Sequence, residues 1–204
     1  ANYQLDEKNT LFLSGYFGRD KLGLNNAFGF NWGNATGTLR LNHLFSNRLF
    51  SNTSLIMSKY DYQIENLLSG NEFKVSSSIK NFNLKYDLKY YLNDKIKLDF
   101  GMNSIYYKFN PGTIEPIDEN SSINFSQLDK KNAFEPSVYV EAEHQATQKL
   151  SFLYGLRFSM FYRLGASTVN LYQDNQAVTY NDQLKIYEKG VPIGSKTYGY
   201  NEVI

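Results

Sequence analysis

The sequence predicts an all-β fold, a transmembrane antiparallel up-and-down β-barrel. Three observations predict it: long segments of alternating apolar and polar residues, tight polar turns between them, and no amphipathic helix of useful length. Residues 82–90 show the alternation most clearly. Phe82, Leu84, Tyr86, Leu88 and Tyr90 share one face and Asn83, Lys85, Asp87 and Lys89 the other, because successive strand side chains point to opposite sides of a sheet. No run approaches the roughly 18 apolar residues of a spanning helix, whereas a barrel strand needs only about 9–11 and keeps half of them polar.

Reading period two between turn clusters places about eight strands, at 2–6, 10–19, 35–45, 52–67, 73–92, 95–109, 133–146 and 150–163. The first is short and ends at the turn Asp6-Glu7-Lys8-Asn9, which leads into 10–19. In 35–45, Leu39, Leu41 and Phe45 alternate with Thr38, Arg40 and Asn42, and Ser46-Asn47-Arg48 turns the chain into 52–67. Segment 73–92 would rise about 65 Å, more than an apolar band about 25 Å tall requires. Its apolar residues change parity before Phe82, so the half beside Asn93-Asp94 is read as the membrane half.

After that turn, Ile96, Leu98, Phe100 and Met102 oppose Lys97, Asp99, Gly101 and Asn103. In 133–146, Val138, Val140 and Ala142 alternate with Tyr139, Glu141 and Glu143, and Pro136, lacking an N–H, marks a bulge or the start of regular pairing. Thr147-Gln148-Lys149 leads to the last clear strand, where Leu150, Phe152, Tyr154, Leu156 and Phe158 oppose Ser151, Gly155, Arg157 and Ser159. A weaker pair is expected near 168–173 and 183–188. The links at 20–34, 68–72, 110–132 and beyond 164 are longer than the turns, which puts short turns on one rim and long loops on the other.

From this pattern the expected lipid-facing residues are Leu39, Leu41, Phe82, Leu84, Tyr86, Leu88, Ile96, Leu98, Phe100, Val138, Val140, Leu150, Phe152, Leu156 and Phe158. The expected lumen-facing residues are Arg40, Asn83, Lys85, Asp87, Lys89, Lys97, Asp99, Glu141, Glu143 and Arg157. A soluble sandwich or ligand-binding barrel alternates in the same way with its apolar face inward, and period two does not say which face is inside.

Composition agrees with strands: 17 Tyr and 15 Phe suit sheets and membrane boundaries alike. Cysteine is absent, which removes disulfides and thiolate metal sites, and a net charge of +1 suggests no nucleic-acid partner. The start lacks the basic and apolar regions of an export signal and the end follows a loop-like stretch, so both are read as cuts within a longer protein.

The runs TLFLSGYFGRD at 10–20, FSNRLFSNTSLIMSKYDYQI at 45–64, residues 82–100, and AFEPSVYVEAE at 133–143 resemble barrel hairpins of TonB-dependent outer-membrane transporters of the Bacteroidetes type. The resemblance implies a larger barrel of about 22 strands, of which residues 1–204 form an internal wall segment without plug or terminal strands. It implies an outer-membrane location and import of a nutrient or metal chelate. The implied partners are outer-membrane lipid, the rest of the barrel, the TonB complex through a plug, and a surface lipoprotein. Two alternatives stand beside it: a self-contained eight-stranded outer-membrane barrel with a structural or adhesion role, and the soluble ligand-binding barrel.

No catalytic residue, metal site or cofactor is expected, and the chain is read as non-enzymatic. His43 and His144 are too few and too far apart for a metal site. The stretch Glu115-Pro-Ile-Asp-Glu-Asn120 lacks calcium-loop spacing, and Glu141 with Glu143 reads as a hydrated wall rather than an acid–base pair. In the glycine- and asparagine-rich stretch 23–33, Phe28, Phe30 and Trp32 are candidate ligand contacts by ring stacking, with packing of the loop on itself as the alternative.

Overall fold

Four polar turns organise the first 161 residues in the same way. Asp6 Oδ1 accepts the Lys8 N–H at 2.7 Å, Ser46 Oγ that of Arg48 at 3.3 Å, Asn93 Oδ1 that of Lys95 at 2.9 Å, and Thr147 Oγ1 that of Lys149 at 3.2 Å. A short side chain that bonds the N–H two residues on imitates a backbone turn, which is why these residue types reverse the chain here. The computed structural model describes residues 1–24 and 27–204, so Asn25 and Asn26 of the predicted loop at 20–34 lie outside the described residues.

Between the turns run β1 (Asn2–Gln4), β2 (Asn9–Leu24), β3 (Phe28–Ser46), β4 (Leu49–Asn66), β5 (Phe73–Asn93) and β6 (Ile96–Pro116). They are followed by β7 (Ser126–Gln127), β8 (Lys131–Thr147) and β9 (Leu150–Ser159). The strand order in the first unit is β1-β2-β3-β4-β5-β6-β8, with β9 on β8 and the short β7 on β6, and these pairings are antiparallel.

Several boundaries differ from expectation. β2 reaches Leu24 and β3 starts at Phe28, so most of the predicted loop is ladder: Trp32 pairs with Asp20 and Tyr62, and Phe30 with Leu22 and Ile64. Pro136 causes no bulge. Its carbonyl accepts the Met160 N–H, so the missing proline N–H would face β9 just beyond Ser159, the last β9 residue paired in register, and costs no bond to β6.

Residues 162–204 form a second compact unit. It holds β10 (Tyr162–Leu164), β11 (Ser167–Tyr172), β12 (Val178–Asn181), β13 (Ile186–Lys189) and β14 (Pro192–Tyr198). β11 pairs with β14 and β12 with β13, so the expected pairing of 168–173 with 183–188 is replaced by two nested hairpins. Asn181 Oδ1, accepting the N–H groups of Gln183 and Leu184, closes the inner one.

The principal correction concerns closure. A barrel exists only if its first and last strands pair, and among the described residues of the first unit β1 pairs only with β2 and β9 only with β8. The sheet is open, so the predicted transmembrane barrel is not what these strands build, and there is no lumen for a wall to enclose. Alternation foretold two faces; a two-faced sheet alternates whether or not its edges meet.

The open sheet is a single layer. Among its described residues the buried apolar side chains are Ala133 and Ala142, and the buried polar ones are Ser51, Ser54, Thr113 and Ser137. Among the described residues no large side chain is fully buried. Stability therefore rests on the ladders and on neighbours within each face.

Candidate functional site: an uncovered apolar face and the ion network behind it

In-register partners share a face, so the pairings sort every side chain. One continuous row holds Leu13, Leu39, Leu55 and Leu84; the next holds Leu11, Leu41, Tyr86, Met102, Val138 and Phe158; a third holds Leu88, Phe100, Val140 and Leu156. Nearer the turns follow Tyr90, Leu98 and Tyr154, then Ile96 and Phe152, with Leu150 two residues before Phe152 on the same side. All residues expected on the apolar side thus lie on one face. The structure adds Leu13, Leu55 and Met57, whose signal in the sequence was only their spacing of two.

This turn-side half of the face carries no Asp, Glu, Lys or Arg. It is also uncovered: Leu13 is 58% exposed, Met57 59%, Phe158 60% and Leu156 80%.

Behind it, on the opposite face, the residues expected to be polar form a chain of charges. Lys85 pairs with Asp87 at 2.9 Å, Lys89 with Asp99 at 3.4 Å, and Lys97 bridges Asp99 at 3.6 Å and Glu143 at 2.5 Å. The hydrogen bond to Lys97 is the main cause holding the Glu143 carboxyl below its usual range, and the same contact raises Lys97. Arg157 donates to Ser137 Oγ at 2.8 Å and Arg40 stands over the Phe12 ring, 4.6 Å from its centre. Asn42, Asn83 and Asn103 on this face keep a buried amide oxygen with no protein donor, which leaves acceptors for water.

Two of these contacts reach across an intervening strand, and glycine makes that possible. Tyr139 on β8 donates to Asp87 Oδ1 on β5 at 2.6 Å, over Gly101 on β6. On the other face, in its polar loop-side half, Arg19 on β2 reaches Asp61 on β4 at 2.8 Å over Gly33 on β3. A side chain on either glycine would occupy the space the ring or guanidinium now uses.

Burial first, and then the bond to Asp87, push the Tyr139 hydroxyl well above its ordinary pKa. A raised folded-state pKa gives stability that is full below about pH 10, the unfolded value, and is lost as pH rises toward the folded one. Tyr139→Phe is therefore expected to cost about 1–2 kcal/mol at pH 7 and to flatten the alkaline loss. Urea midpoints at neutral and strongly alkaline pH check both signs.

Toward the loops the two faces exchange character. Phe28, Phe30 and Trp32 lie on the side of Tyr62 and Ile64, in line with the ion network rather than with Leu39. Phe30 packs 4.8 Å from Trp32 and 6.3 Å from Tyr62, centre to centre, so these rings form a cluster on strands rather than a loop tip. The histidines stay apart. His43 bonds Asn9 Oδ1 and stands edge-on to Phe45, while His144 lies across from Ile96.

No protein-family model, no curated protein and no solved structure matches the chain. With the sheet open and no relative found, the resemblance to Bacteroidetes-type TonB-dependent transporters does not hold. The same findings overturn the transporter-wall function, both barrel alternatives and the outer-membrane location. They also overturn the partners tied to a barrel, namely outer-membrane lipid, a barrel remainder, the TonB complex and a lipoprotein. The physical reason is that the barrel was inferred from alternation, which reports faces and not closure, and the function, location and partners followed only through the resemblance to such barrels.

Proposed function

We propose that the chain is a non-catalytic assembly module that buries its turn-side apolar face against the same face of a second copy. The observation that carries this is a charge-free apolar surface spanning β2 to β9 in a sheet with no second layer. Contiguous exposed apolar patches beyond a few hundred Å² are rare on lone proteins, and this one runs unbroken from Leu13 on β2 to Leu156 and Phe158 on β9.

A second copy suits the face for two reasons. A two-fold contact sets a patch against itself, and a patch without charge meets no like-charge conflict when it does so. Two sheets packed face to face at about 10 Å then form the sandwich core that one sheet lacks. The polar face, with neighbouring acids and bases neutralising each other, stays toward water.

Sedimentation equilibrium in detergent-free buffer tests the proposal. The expected result is a concentration-dependent rise to twice the chain mass. A chain that stays a folded monomer at about 100 µM, far above the range of stable dimers, overturns it. So does a chain recovered only in detergent micelles, because an amphiphile would then be covering the face.

A further inference from the structure

One row of the sheet lines up three like charges, whereas the like-charged pair Asp99 and Glu141 has Lys89 and Lys97 bonded at Asp99. Lys59 on β4 pairs directly with Lys80 on β5, and Lys80 directly with Lys108 on β6. Like charges opposite one another on neighbouring strands destabilise a sheet, and here three stand in line on the central strands. Protein groups offset only part of the repulsion. Lys59 reaches Asp61 at 2.9 Å, but Asp61 also holds Arg19. Lys108 leans toward the Tyr106 ring, and Lys80 meets no carboxylate.

The row ends the apolar half of the face. Beside it lies a hollow of about 410 Å³, formed because Ala35 and Gly37 are small, with Met57 and Phe82 as apolar lining and Lys59 and Lys80 at its border. A Cβ on Gly37 would meet nothing within 4 Å, which shows how open the floor is.

We propose that this row is a binding site for a phosphate-type oxyanion, held by the ammonium groups of Lys80 and Lys108 with Lys59 at its edge. Ammonium donors bond phosphate oxygens through charge-assisted hydrogen bonds, and one anion between two lysines turns mutual repulsion into two attractions. The hollow has room for an apolar body attached to that anion. The lysine row lies just outside the charge-free surface assigned to self-association, and the hollow beside it shares Met57 and Phe82 with the edge of that surface.

Calorimetric titration of the intact chain at about 20 mM salt with inorganic pyrophosphate, octyl phosphate below its micelle concentration, and octyl glucoside tests the site. Binding of either phosphate, weakened about tenfold or more in Lys80→Gln/Lys108→Gln and by added salt, is the expected result. Tighter binding of octyl phosphate assigns the ligand as an ester with an apolar body; equal or tighter binding of pyrophosphate assigns a free anion. No phosphate binding, binding unchanged in the double variant, or octyl glucoside binding as well as octyl phosphate overturns the proposal. Without ligand, the double variant should melt at a higher temperature than the native chain at low salt, which separates lost binding from lost fold. A lower melting temperature would remove the like-charge argument.

Discussion

Gly101→Val is expected to destabilise the first unit by about 3 kcal/mol or more, while Gly37→Val, the same change in the same sheet, is expected to be neutral or mildly stabilising. The difference lies in what the new side chain meets. A Cβ at Gly101 would collide with the Tyr86 carbonyl oxygen and stand 3.1 Å from Asp87 Cα and 3.1 Å from the Tyr139 ring. Two of those three neighbours are backbone, which cannot step aside without shifting the β5–β6 ladder. The third is the ring that lies over Gly101 to reach Asp87, so displacing it also costs that hydrogen bond. Gly37 has no neighbour within 4 Å of such a Cβ. Valine there gains strand propensity and loses glycine's unfolded-state entropy at no steric cost. Denaturant midpoints of the two variants check the sign as well as the size, and equal effects would refute the role given to Gly101.

The features legible in the sequence were those that a few neighbouring residues determine. Asp6, Ser46, Asn93 and Thr147 each bond an N–H two residues on, so the four turns follow from local chemistry. The division of Leu84 from Lys85, or Val140 from Glu141, needs only period two. What could not be read were relations between distant parts of the chain. Nothing near Tyr3 or Phe152 says whether their strands meet, so closure was beyond reach. The stretch 20–34 looked like loop because its glycines and asparagines depress strand propensity, yet Phe30 and Trp32 gain Ile64 and Tyr62 as ladder partners. In β3 the apolar residues are even-numbered at Phe28 to Trp32 and odd-numbered at Leu39 and Leu41. The structure shows an unbroken β3–β4 register from Phe28 to Leu44, with a slip only at the turn. One strand therefore serves two apolar regions on opposite faces. The lysine row at Lys59, Lys80 and Lys108 escaped for the same reason, since it exists only once three strands are aligned.

Leu84→Asp is expected to abolish self-association, raising the dissociation constant about a thousandfold or more, while Asn83→Asp, one residue away, is expected to leave it unchanged. Leu84 sits in the row with Leu13, Leu39 and Leu55, inside the charge-free area. In a two-fold contact every substitution occurs twice, so two carboxylates would be carried into an apolar interface with no base on that surface to pair with. Burying an unpaired charge costs several kcal/mol, and two such costs exceed the roughly 4 kcal/mol that a thousandfold change represents. In the free chain the same carboxylate points to water, because Leu84 is 39% exposed before association. The fold should therefore survive, and circular dichroism of the variant should match that of the native chain. Asn83 points the other way, into the polar face opposite Ile105, so an added charge there lies outside the contact and keeps the same surroundings in monomer and dimer. The pair of variants thus asks which face is buried by moving one negative charge a single residue along β5. Sedimentation of both against the native chain gives the answer, and weakening by Asn83→Asp alone, or by neither, would place the contact elsewhere on the molecule.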